Sequence, residues 1–405
     1  MLRFNTAGES HGKGLVAIVD GLPAGIEVDI EHINDKLARR QGGYGRGGRM
    51  KIEKDRVEIF SGVRAGKTMG SPVALLIHNK DWVNWQEVMA VEGMVAEDGV
   101  EDNKLNIIKD ERLEKVEKKV TRPRPGHADL AAALKYNTDD IRNILERASA
   151  RETAARVAVG GLTDCLLRYF DIDIISHVIQ LGSISAPLEG EISFAELKER
   201  VYASPLHCYD REKEEEMMKY IDEIRKAGDT LGGIVEIRTT PLPVGLGSHT
   251  QWDRRLDGRI AQALMSIPAV KGVEIGPAFE NSTLPGSKVH DEIFYTKERG
   301  YYRKTNRAGG LEGGTSNGQP LIVRIAMKPI PTLYRPLQSV DMKTKEPFEA
   351  SIERSDVTAV PAAGVVAEAM LSFVLAQALL EKFGGDSIDE MLGNYKAYLD
   401  RIRKM

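Results

Sequence analysis

The sequence predicts a mixed α+β fold built in layers. Short segments that are apolar, or that alternate between polar and apolar residues, recur along the chain as β-strands do. Long segments with helical periodicity lie between groups of these strands rather than after each one. This irregular order differs from the strict βα alternation of a Rossmann fold or a βα barrel. No internal repeat or domain boundary is visible, so we expect one domain over residues 1–405.

Five segments are predicted to be strands. The first, residues 15–19, is apolar and ends at the turn signal Asp20-Gly21-Leu22-Pro23. The others are apolar runs or alternating segments at residues 56–60, 72–77, 233–239 and 321–327.

Seven segments are predicted to be helices. Asp29 is a candidate N-cap of the first. Residues 140–170 form a long helical pattern that is weakened only at Gly160-Gly161. Residues 358–383 are mostly Ala, Val, Leu and Met, which predicts a helix buried on most sides. The remaining helices are expected at residues 128–136, 211–227, 253–267 and 388–403.

Composition and charge exclude several classes of protein. A net charge of −4, from 56 Lys and Arg against 60 Asp and Glu, argues against a general nucleic-acid binder. No apolar run approaches the ~20 residues of a membrane helix, and no signal-peptide core is visible. Two cysteines, Cys165 and Cys208, exclude a disulfide scaffold and fit a reducing cytoplasm. The charge-rich stretch at about 95–120 is interpreted as a solvated excursion.

Two histidines stand in motifs that contain glycine. His11 lies in AGESHG, residues 7–12, where glycine lets the backbone approach a ligand. His127 lies in TRPRPGHAD, residues 121–129, at a predicted helix start that favours an anion. Imidazole suits proton transfer near neutral pH, but either histidine could equally be a turn or capping residue.

Arginines are interleaved with glycines in RRQGGYGRGGR, residues 39–49. Because arginine binds phosphate and carboxylate in a bidentate manner, this run could be a loop that closes over an anionic small molecule. An RNA-binding RGG segment and a solvated loop are the alternatives. In residues 146–153, Arg147 and Arg151 share one helical face beside small residues, where a flat ring could lie. Their pairing with neighbouring glutamates is the alternative.

The C-terminal half contains a second glycine-rich run at residues 309–318, followed by KPIPT at 328–332. Arg354 and Asp356 would point the same way in an extended chain, either to hold a phosphate beside a base or to form an ion pair. No cluster has metal-ligand spacing, and neither a Walker A motif nor a strand-linked G-x-G-x-x-G is present. The motifs together predict a site for a polyanionic small molecule.

Read in order, the motifs resemble chorismate synthase. The matching segments are AGESHG (7–12), RRQGGYGRGGR (39–49), RPGHAD (124–129), RASARET (147–153), MSIPAVKGVEIG (265–276), GGLEGGTSNG (309–318), KPIPT (328–332) and RSDVTAVPAAGVVAEAM (354–370). They span almost the whole chain in the order of that family. Two departures are Pro268, where many members have Asn, and the charged stretch at about 95–120.

The resemblance implies a fold, a reaction and partners. The fold is a β-α-β sandwich with a helical layer between antiparallel sheets, assembled as a homotetramer. The enzyme is a cytoplasmic lyase of the shikimate pathway that removes phosphate and the C6 proton from 5-enolpyruvylshikimate-3-phosphate to give chorismate. Reduced FMN is needed without net redox change. NADPH is a candidate reductant of the flavin, by way of a separate flavin reductase.

The resemblance also assigns residues. His11 is the acid that helps phosphate depart, His127 donates to reduced flavin near N1, and Asp356 assists loss of the C6 proton through flavin N5. The implied substrate-anion ligands are Ser10, Arg40, Arg46, Arg124 and Arg151. The implied FMN-binding residues are Arg147, Ala148, Ser149, Pro268, Ala269, Gly313, Lys328, Pro329, Ile330, Pro331, Thr332 and Arg354. The alternatives are another FMN-dependent enzyme that acts on a phosphorylated acid and an RGG-type RNA-binding protein.

Overall fold

The structure is a computed structural model that describes residues 1–47, 54–91, 119–188, 190, 192–350 and 356–405. Its strands are β1 (Arg3–Ala7), β2 (Gly14–Asp20), β3 (Glu58–Ser61), β4 (Val63–Arg64), β5 (Lys67–Thr68), β6 (Val73–His78), β7 (Ile174–Leu181), β8 (Ile184–Ser185), β9 (Gly233–Pro241), β10 (Val270–Ile275), β11 (Ile293–Thr296), β12 (Gly300–Arg303), β13 (Leu311–Glu312), β14 (Thr315–Ser316), β15 (Pro320–Met327), β16 (Gln338–Val340) and β17 (Pro347–Glu349). Its α-helices are α1 (Ile30–Gln41), α2 (Asp129–Tyr136), α3 (Arg142–Ala148), α4 (Thr153–Leu167), α5 (Phe194–Tyr202), α6 (Arg211–Lys226), α7 (Leu256–Met265), α8 (Ala278–Asn281), α9 (Val360–Phe383) and α10 (Ile388–Ile402).

Two antiparallel sheets form the framework. The N-terminal sheet has the strand order β1-β2-β6-β3, with Ala17 of β2 opposite Leu75 of β6. The second sheet has the order β10-β15-β9-β7-β8, with Val323 of β15 opposite Ile237 of β9. All four of these residues are buried, because alternate side chains of each strand face the core. The mixed α+β prediction is therefore confirmed.

Helices α4 and α9 lie between the two sheets. Helix α4 packs on β2 and β6, α9 packs on β7 and β9, and the two helices pack against each other. Gly160 of α4 makes this contact close, because a Cβ atom there would lie 2.2 Å from the Cβ of Ala369 in α9. A Cβ atom at Gly161 would lie 3.0 Å from the Cα of Ile33 in α1, so the glycine pair lets α4 approach two helices, α9 and α1.

The predicted strands and helices are confirmed in most places, and Asp29 caps α1 by accepting from the His32 amide. The single helix expected over 140–170 is wrong. It breaks at Ser149, whose ψ of 139° is extended and whose hydroxyl accepts from the Arg151 amide. The helix expected over 253–267 begins only at Leu256, after an extended Arg255. Strand β7 is an element that the sequence reading missed.

Helix α9 corrects the expectation about apolar runs, since its 24 residues are long and apolar enough to cross a membrane by length and composition. However, 89% of its apolar window is buried inside the protein, as in a core helix. Most of the charged stretch at about 95–120, and Arg354, lie outside the described residues.

Candidate active site

His11 is held by a carboxylate from a distant helix. It lies in the loop between β1 and β2, and its Nδ1 is 2.9 Å from Oε1 of Glu146 in α3. The His11 amide donates to Oε2 of the same carboxylate at 2.8 Å. The ring of Trp85 stacks on the imidazole with a centroid separation of 4.0 Å and a tilt of 32°. The imidazole is thus fixed at one nitrogen and covered on one face.

Asn79 fixes the backbone of the His11 loop. The Asn79 side-chain amide donates to the carbonyls of Glu9, Ser10 and Gly12 at 3.1, 3.3 and 2.8 Å. Its oxygen accepts from Arg151 Nε at 2.9 Å. Asn79 therefore links the histidine loop to one of the predicted substrate arginines.

Glycine in this loop serves the fold rather than ligand access alone. Gly8 has a φ of +107°, which side-chain-bearing residues rarely adopt. A Cβ atom at Gly8 would lie 2.2 Å from the carbonyl oxygen of Gly14. The chain can turn from β1 toward β2 at this point because Gly8 has no side chain.

Two predicted arginines, Arg40 and Arg151, converge on the buried Asp55. Arg151 Nη1 lies 2.6 Å from both oxygens of Asp55, and Arg40 Nη2 lies 3.7 Å from Oδ2. Burial lowers the pKa of Arg40 to about 10; Asp55 opposes this, while nearby Arg151 and Arg46 lower the pKa further. One carboxylate thus faces several buried cations, so positive charge remains available for an anion.

Arg46 and Asp356 are brought together from opposite ends of the sequence. Arg46 Nη1 lies 2.7 Å from Asp356 Oδ2, and the Gly47 amide donates to Oδ1 at 2.5 Å. The Val357 amide donates to the Gly45 carbonyl at 2.8 Å. The glycine-arginine loop is therefore seated on the segment that leads into α9.

His127 and Arg124 share one buried carboxylate. His127 Nδ1 lies 2.5 Å from Asp129 Oδ1, and Arg124 Nε donates to Oδ2 at 2.8 Å. Asp129 is fully inaccessible. Although burial acts against ionisation, hydrogen bonds from His127 and Arg124 hold the pKa of Asp129 well below its usual range. The carboxylate fixes both basic side chains at the start of α2.

The KPIPT segment lies against the His127 loop. Lys328 Nζ donates to the Gly126 carbonyl, and a Cβ atom at Gly126 would lie 3.4 Å from the Pro331 Cβ. The Lys328 amide donates to the carbonyl of Ala269, which has a φ of +68°. These parts of the predicted flavin site are therefore neighbours, with Pro268, Pro329, Ile330 and Thr332 adjoining them in sequence.

Arg147, Ala148 and Ser149 lie on the His11 side of the site. Arg147 donates to the Gly8 carbonyl at 3.2 Å and to the Thr6 carbonyl at 3.1 Å. Ala148 ends α3, and Ser149 is the extended residue that follows. Arg147 therefore contacts the histidine loop, and Ala148 and Ser149 adjoin it in sequence.

Gly313 is the predicted site residue that the structure places apart from Ala269. It follows β13, and the carbonyl of the adjacent Gly314 accepts from the Leu256 amide at the N-terminus of α7. Ala269 follows the opposite end of that ten-residue helix, which is about 15 Å long. Gly313 instead lines a cavity of about 540 Å³ with Arg255 and Arg307.

Backbone contacts connect the two halves of the site. The Leu231 amide donates to the Val357 carbonyl beside Asp356, and the Thr230 hydroxyl donates to the Ile330 carbonyl, each at 2.8 Å. On the other side, α2 and α3 pack through Ala133, Ile141 and Ile144. The helix that carries Asp129, the partner of His127, and the helix that carries Glu146, the partner of His11, therefore pack through one small apolar cluster.

Sequence reasoning missed the residues that support the predicted ones. The sequence suggests Glu146 only as an arginine partner, and it gives Asp129 no role beyond its place at the end of the motif that contains His127. Asp55, Asn79 and Trp85 lie in no recognised motif and carried no usable signal. In the described part of the chain, no group of three His, Cys, Asp or Glu residues could hold a metal ion.

The known proteins that this chain resembles in sequence and in structure are chorismate synthases. The family model for chorismate synthase matches residues 2–380. The chorismate synthases of Desulforamulus reducens and Geobacter sulfurreducens are each 56% identical to the chain, with 100% of both sequences covered. A crystal structure of chorismate synthase matches with a TM-score of 0.77 and 43% identity, covering 100% of this chain and 99% of that one.

Proposed function

The chain belongs to the chorismate synthase family, and from this premise we propose which residues carry each part of the reaction. The protein is a carbon–oxygen lyase of aromatic biosynthesis. It removes phosphate and the C6 proton from 5-enolpyruvylshikimate-3-phosphate in an anti-1,4-elimination that gives chorismate. Reduced flavin is a general requirement of the family. That this flavin is FMN is part of the proposal.

The observation that carries the proposal is the buried arginine cluster. Nε of Arg40 and Nη2 of Arg151 are buried and have no hydrogen-bond partner among the residues that the structure describes. Guanidinium groups of this kind match the oxygens of carboxylate and phosphate, and the substrate carries two carboxylates and a phosphate. We infer that the substrate anions bind to Ser10, Arg40, Arg46, Arg124 and Arg151.

His11 is proposed as the acid in phosphate departure. Its loop adjoins the arginine cluster through Asn79, which contacts both the loop carbonyls and Arg151. The proton moves from the imidazole to the bridging oxygen of the phosphate while the C–O bond breaks and its electron pair stays on that oxygen. General acid catalysis of this kind contributes about 10²–10⁴-fold.

The donor set beside His127 fits an anionic, flat cofactor. Lys328 and Arg124 supply cationic donors, the His127 imidazole offers a ring nitrogen, and Pro331 lies against Gly126 to give an apolar wall. When bound there, reduced flavin supplies electron density to the substrate as the C–O bond breaks. The FMN contacts proposed around this donor set are Pro268, Ala269, Lys328, Pro329, Ile330, Pro331 and Thr332. The proposal also includes Arg147, Ala148 and Ser149 on the His11 side, Gly313 at the other end of α7, and Arg354, which lies outside the described residues.

Asp356 is proposed to assist removal of the C6 proton. Its carboxylate is fixed by Arg46 at 2.7 Å and by the Gly47 amide at 2.5 Å, so it is oriented before substrate binds. Asp356 lies just before α9. Its neighbour Val357 accepts a hydrogen bond from the Leu231 amide, and the adjacent Thr230 hydroxyl donates to the Ile330 carbonyl. An oriented carboxylate can accept a proton without the cost of ordering a flexible side chain.

Phosphate release from 5-enolpyruvylshikimate-3-phosphate tests the reaction. We expect turnover with reduced FMN under anaerobic conditions and none with oxidised FMN. Steady turnover without any flavin would contradict the proposal.

Arg46→Ala should weaken substrate binding by about 10-fold to 100-fold, since a charge-assisted hydrogen bond is worth about 1.5–3 kcal/mol. Arg3→Ala, which removes an exposed ion pair with Asp20, is the control.

The wider organisation is proposed on the same premise. The large apolar cluster runs from Leu2 to Met391, which supports a single domain over 1–405. The packing of α4 and α9 between two sheets supports a β-α-β sandwich. We further propose a homotetramer, and NADPH-dependent flavin reduction by a separate reductase. Cys165 and Cys208 are free and buried, which supports a reducing cytoplasmic location.

A further inference from the structure

We propose that Glu146 and Trp85 are positioning residues for the His11 imidazole and that they select Nε2 as the nitrogen that delivers the proton. This inference rests on the proposed role of His11 as the acid. It adds two residues from outside the recognised motifs, one on α3 and one on the segment after β6.

Glu146 sets which nitrogen is available. Both carboxylate oxygens lie within 3.1 Å of His11 Nδ1, and one also accepts from the His11 amide. The Glu146 side chain is only 3% exposed, so water does not compete for it. An ionised carboxylate has only acceptors, so Nδ1 carries a hydrogen and donates it to Glu146. Nε2 is then the nitrogen that faces outward, as in other carboxylate–histidine pairs.

Trp85 sets the plane of the imidazole. The two rings stack at 4.0 Å, and the indole is itself fixed because its Nε1 donates to Asp81 at 3.0 Å. The guanidinium of Arg142 lies 5.4 Å from the indole centroid, and its Nη1 is 3.8 Å from Glu146. The stacked indole removes water from one imidazole face and blocks rotation about the bond to the ring.

The proton transfer is balanced without a further reactant. The Nε2–H bond breaks, and an O–H bond forms on the departing phosphate. The imidazole becomes neutral, and its Nδ1 keeps its hydrogen and continues to donate it to Glu146. The charged groups on the elements packed around the ring are Glu9 and Lys13 on its own loop, Asp81 beside Trp85, and Arg142, Glu146 and Arg147 on α3.

Fluorescence of Trp85 tests the arrangement independently of turnover. The chain has three tryptophans, so a Trp82→Phe, Trp252→Phe background leaves Trp85 as the reporter. A protonated imidazole quenches an indole stacked on it, so Trp85 emission should change in a single step with pH. The step should disappear in His11→Gln. In Glu146→Gln its midpoint should move to lower pH, because the amide does not stabilise an imidazolium as a carboxylate does.

Activity provides the second readout. Glu146→Gln should lower kcat by about 10-fold to 100-fold, a part of the general-acid contribution, with KM changed less than about 2-fold because the arginines are untouched. Glu58→Gln removes the carboxylate of the exposed Glu58–His78 pair and should change neither kcat nor the Trp85 titration. If Glu146→Gln does not fold, Trp85→Leu and Trp85→Phe decide, with the loss in kcat expected only for Leu.

The outcomes separate this inference from the role of His11. Trp85 emission that is independent of pH, or an unchanged midpoint and kcat in Glu146→Gln, overturns the positioning role. Full turnover in His11→Gln overturns the acid role itself. In that case the Trp85 titration would still show whether Glu146 and Trp85 hold the ring.

Discussion

At the scale of single residues, the site pairs basic side chains with buried acids. Asp55, Glu146 and Asp129 are each less than 7% exposed. Between them they contact both predicted histidines and three of the predicted arginines, Arg40, Arg124 and Arg151. A buried carboxylate keeps its partner charged and fixes its geometry. The basic groups are therefore oriented before ligands bind, by two acids that are remote in sequence and by Asp129, which is two residues from His127.

Asp55→Asn should be strongly destabilising, because it leaves Arg40 and Arg151 buried without their shared counter-charge. We expect a loss of about 3–5 kcal/mol in unfolding free energy, as for other broken buried pairs. Urea unfolding measures it, and added phosphate should restore part of the loss by binding the arginines. Asp20→Asn breaks only an exposed pair with Arg3 and should cost less than about 1 kcal/mol. Equal effects of the two substitutions would contradict the counter-charge role.

His207 predicts a pH dependence of stability. Burial, with a smaller contribution from Arg39, lowers its pKa from 6.5 to about 4. Between these pH values the unfolded chain binds a proton that the folded chain does not, so stability falls as pH is lowered through this window. The loss of unfolding free energy that His207 causes reaches about 2–3 kcal/mol near pH 4.5. It should disappear in His207→Asn, which tolerates the φ of +54°, but remain in His249→Gln, where the histidine is exposed. Urea unfolding at pH 7 and 4.5 distinguishes these cases.

At the scale of elements, regular alternation or a long apolar run makes most of the long strands and helices predictable from the sequence, but the almost fully buried strand β7 is not among them. Strand β15 alternates between buried and half-buried residues, so its period of two is visible. The break at Ser149 was missed because helical residues flank it and only the local cap favours an extended Ser149. In the candidate site, the motifs predict the histidines and arginines, and those roles stay predictions. Two of their carboxylates are not predictable, because Glu146 is 135 residues from His11 and Asp55 is 96 residues from Arg151.

The contact between α4 and α9 gives a prediction about helix packing. Gly160→Ala places a methyl group 2.2 Å from the Ala369 Cβ, so the helices must separate. We expect a loss of at least about 1–3 kcal/mol in unfolding free energy. Gly393→Ala in α10 is the matched control, since its methyl group meets nothing within 4 Å. That substitution should be neutral or gain up to about 1 kcal/mol from helix propensity. Similar effects at both glycines would mean that close packing at Gly160 is unimportant.

At the scale of the whole molecule, the fold concentrates positive charge in a chain whose net charge is −4. The site draws on the loop after β1, the end of α1, the start of α2 and the entry to α9, which the two sheets and their central helices bring together. The elements themselves are far apart in sequence, so only tertiary packing creates the local positive potential. Such a potential accelerates the association of a polyanion without making the protein a general polyanion binder.

Salt should therefore act on substrate association more than on the chemical step. The Arg40, Arg46 and Arg151 side chains are at most 10% exposed, so the contacts with substrate that we propose for them should be weakly screened. Long-range steering is screened within about 10 Å at 0.1 M salt. Between 50 and 500 mM KCl we expect KM to rise by about 2-fold to 10-fold and kcat to change less than about 2-fold. Sucrose at matched osmolarity controls for effects other than charge.

Filter binding of single-stranded RNA over the same range should show no retention, because the described arginines of the 39–49 run are turned toward Glu368, Asp55 and Asp356. RNA retained at low salt and released steeply as salt rises would instead assign that run to nucleic acid.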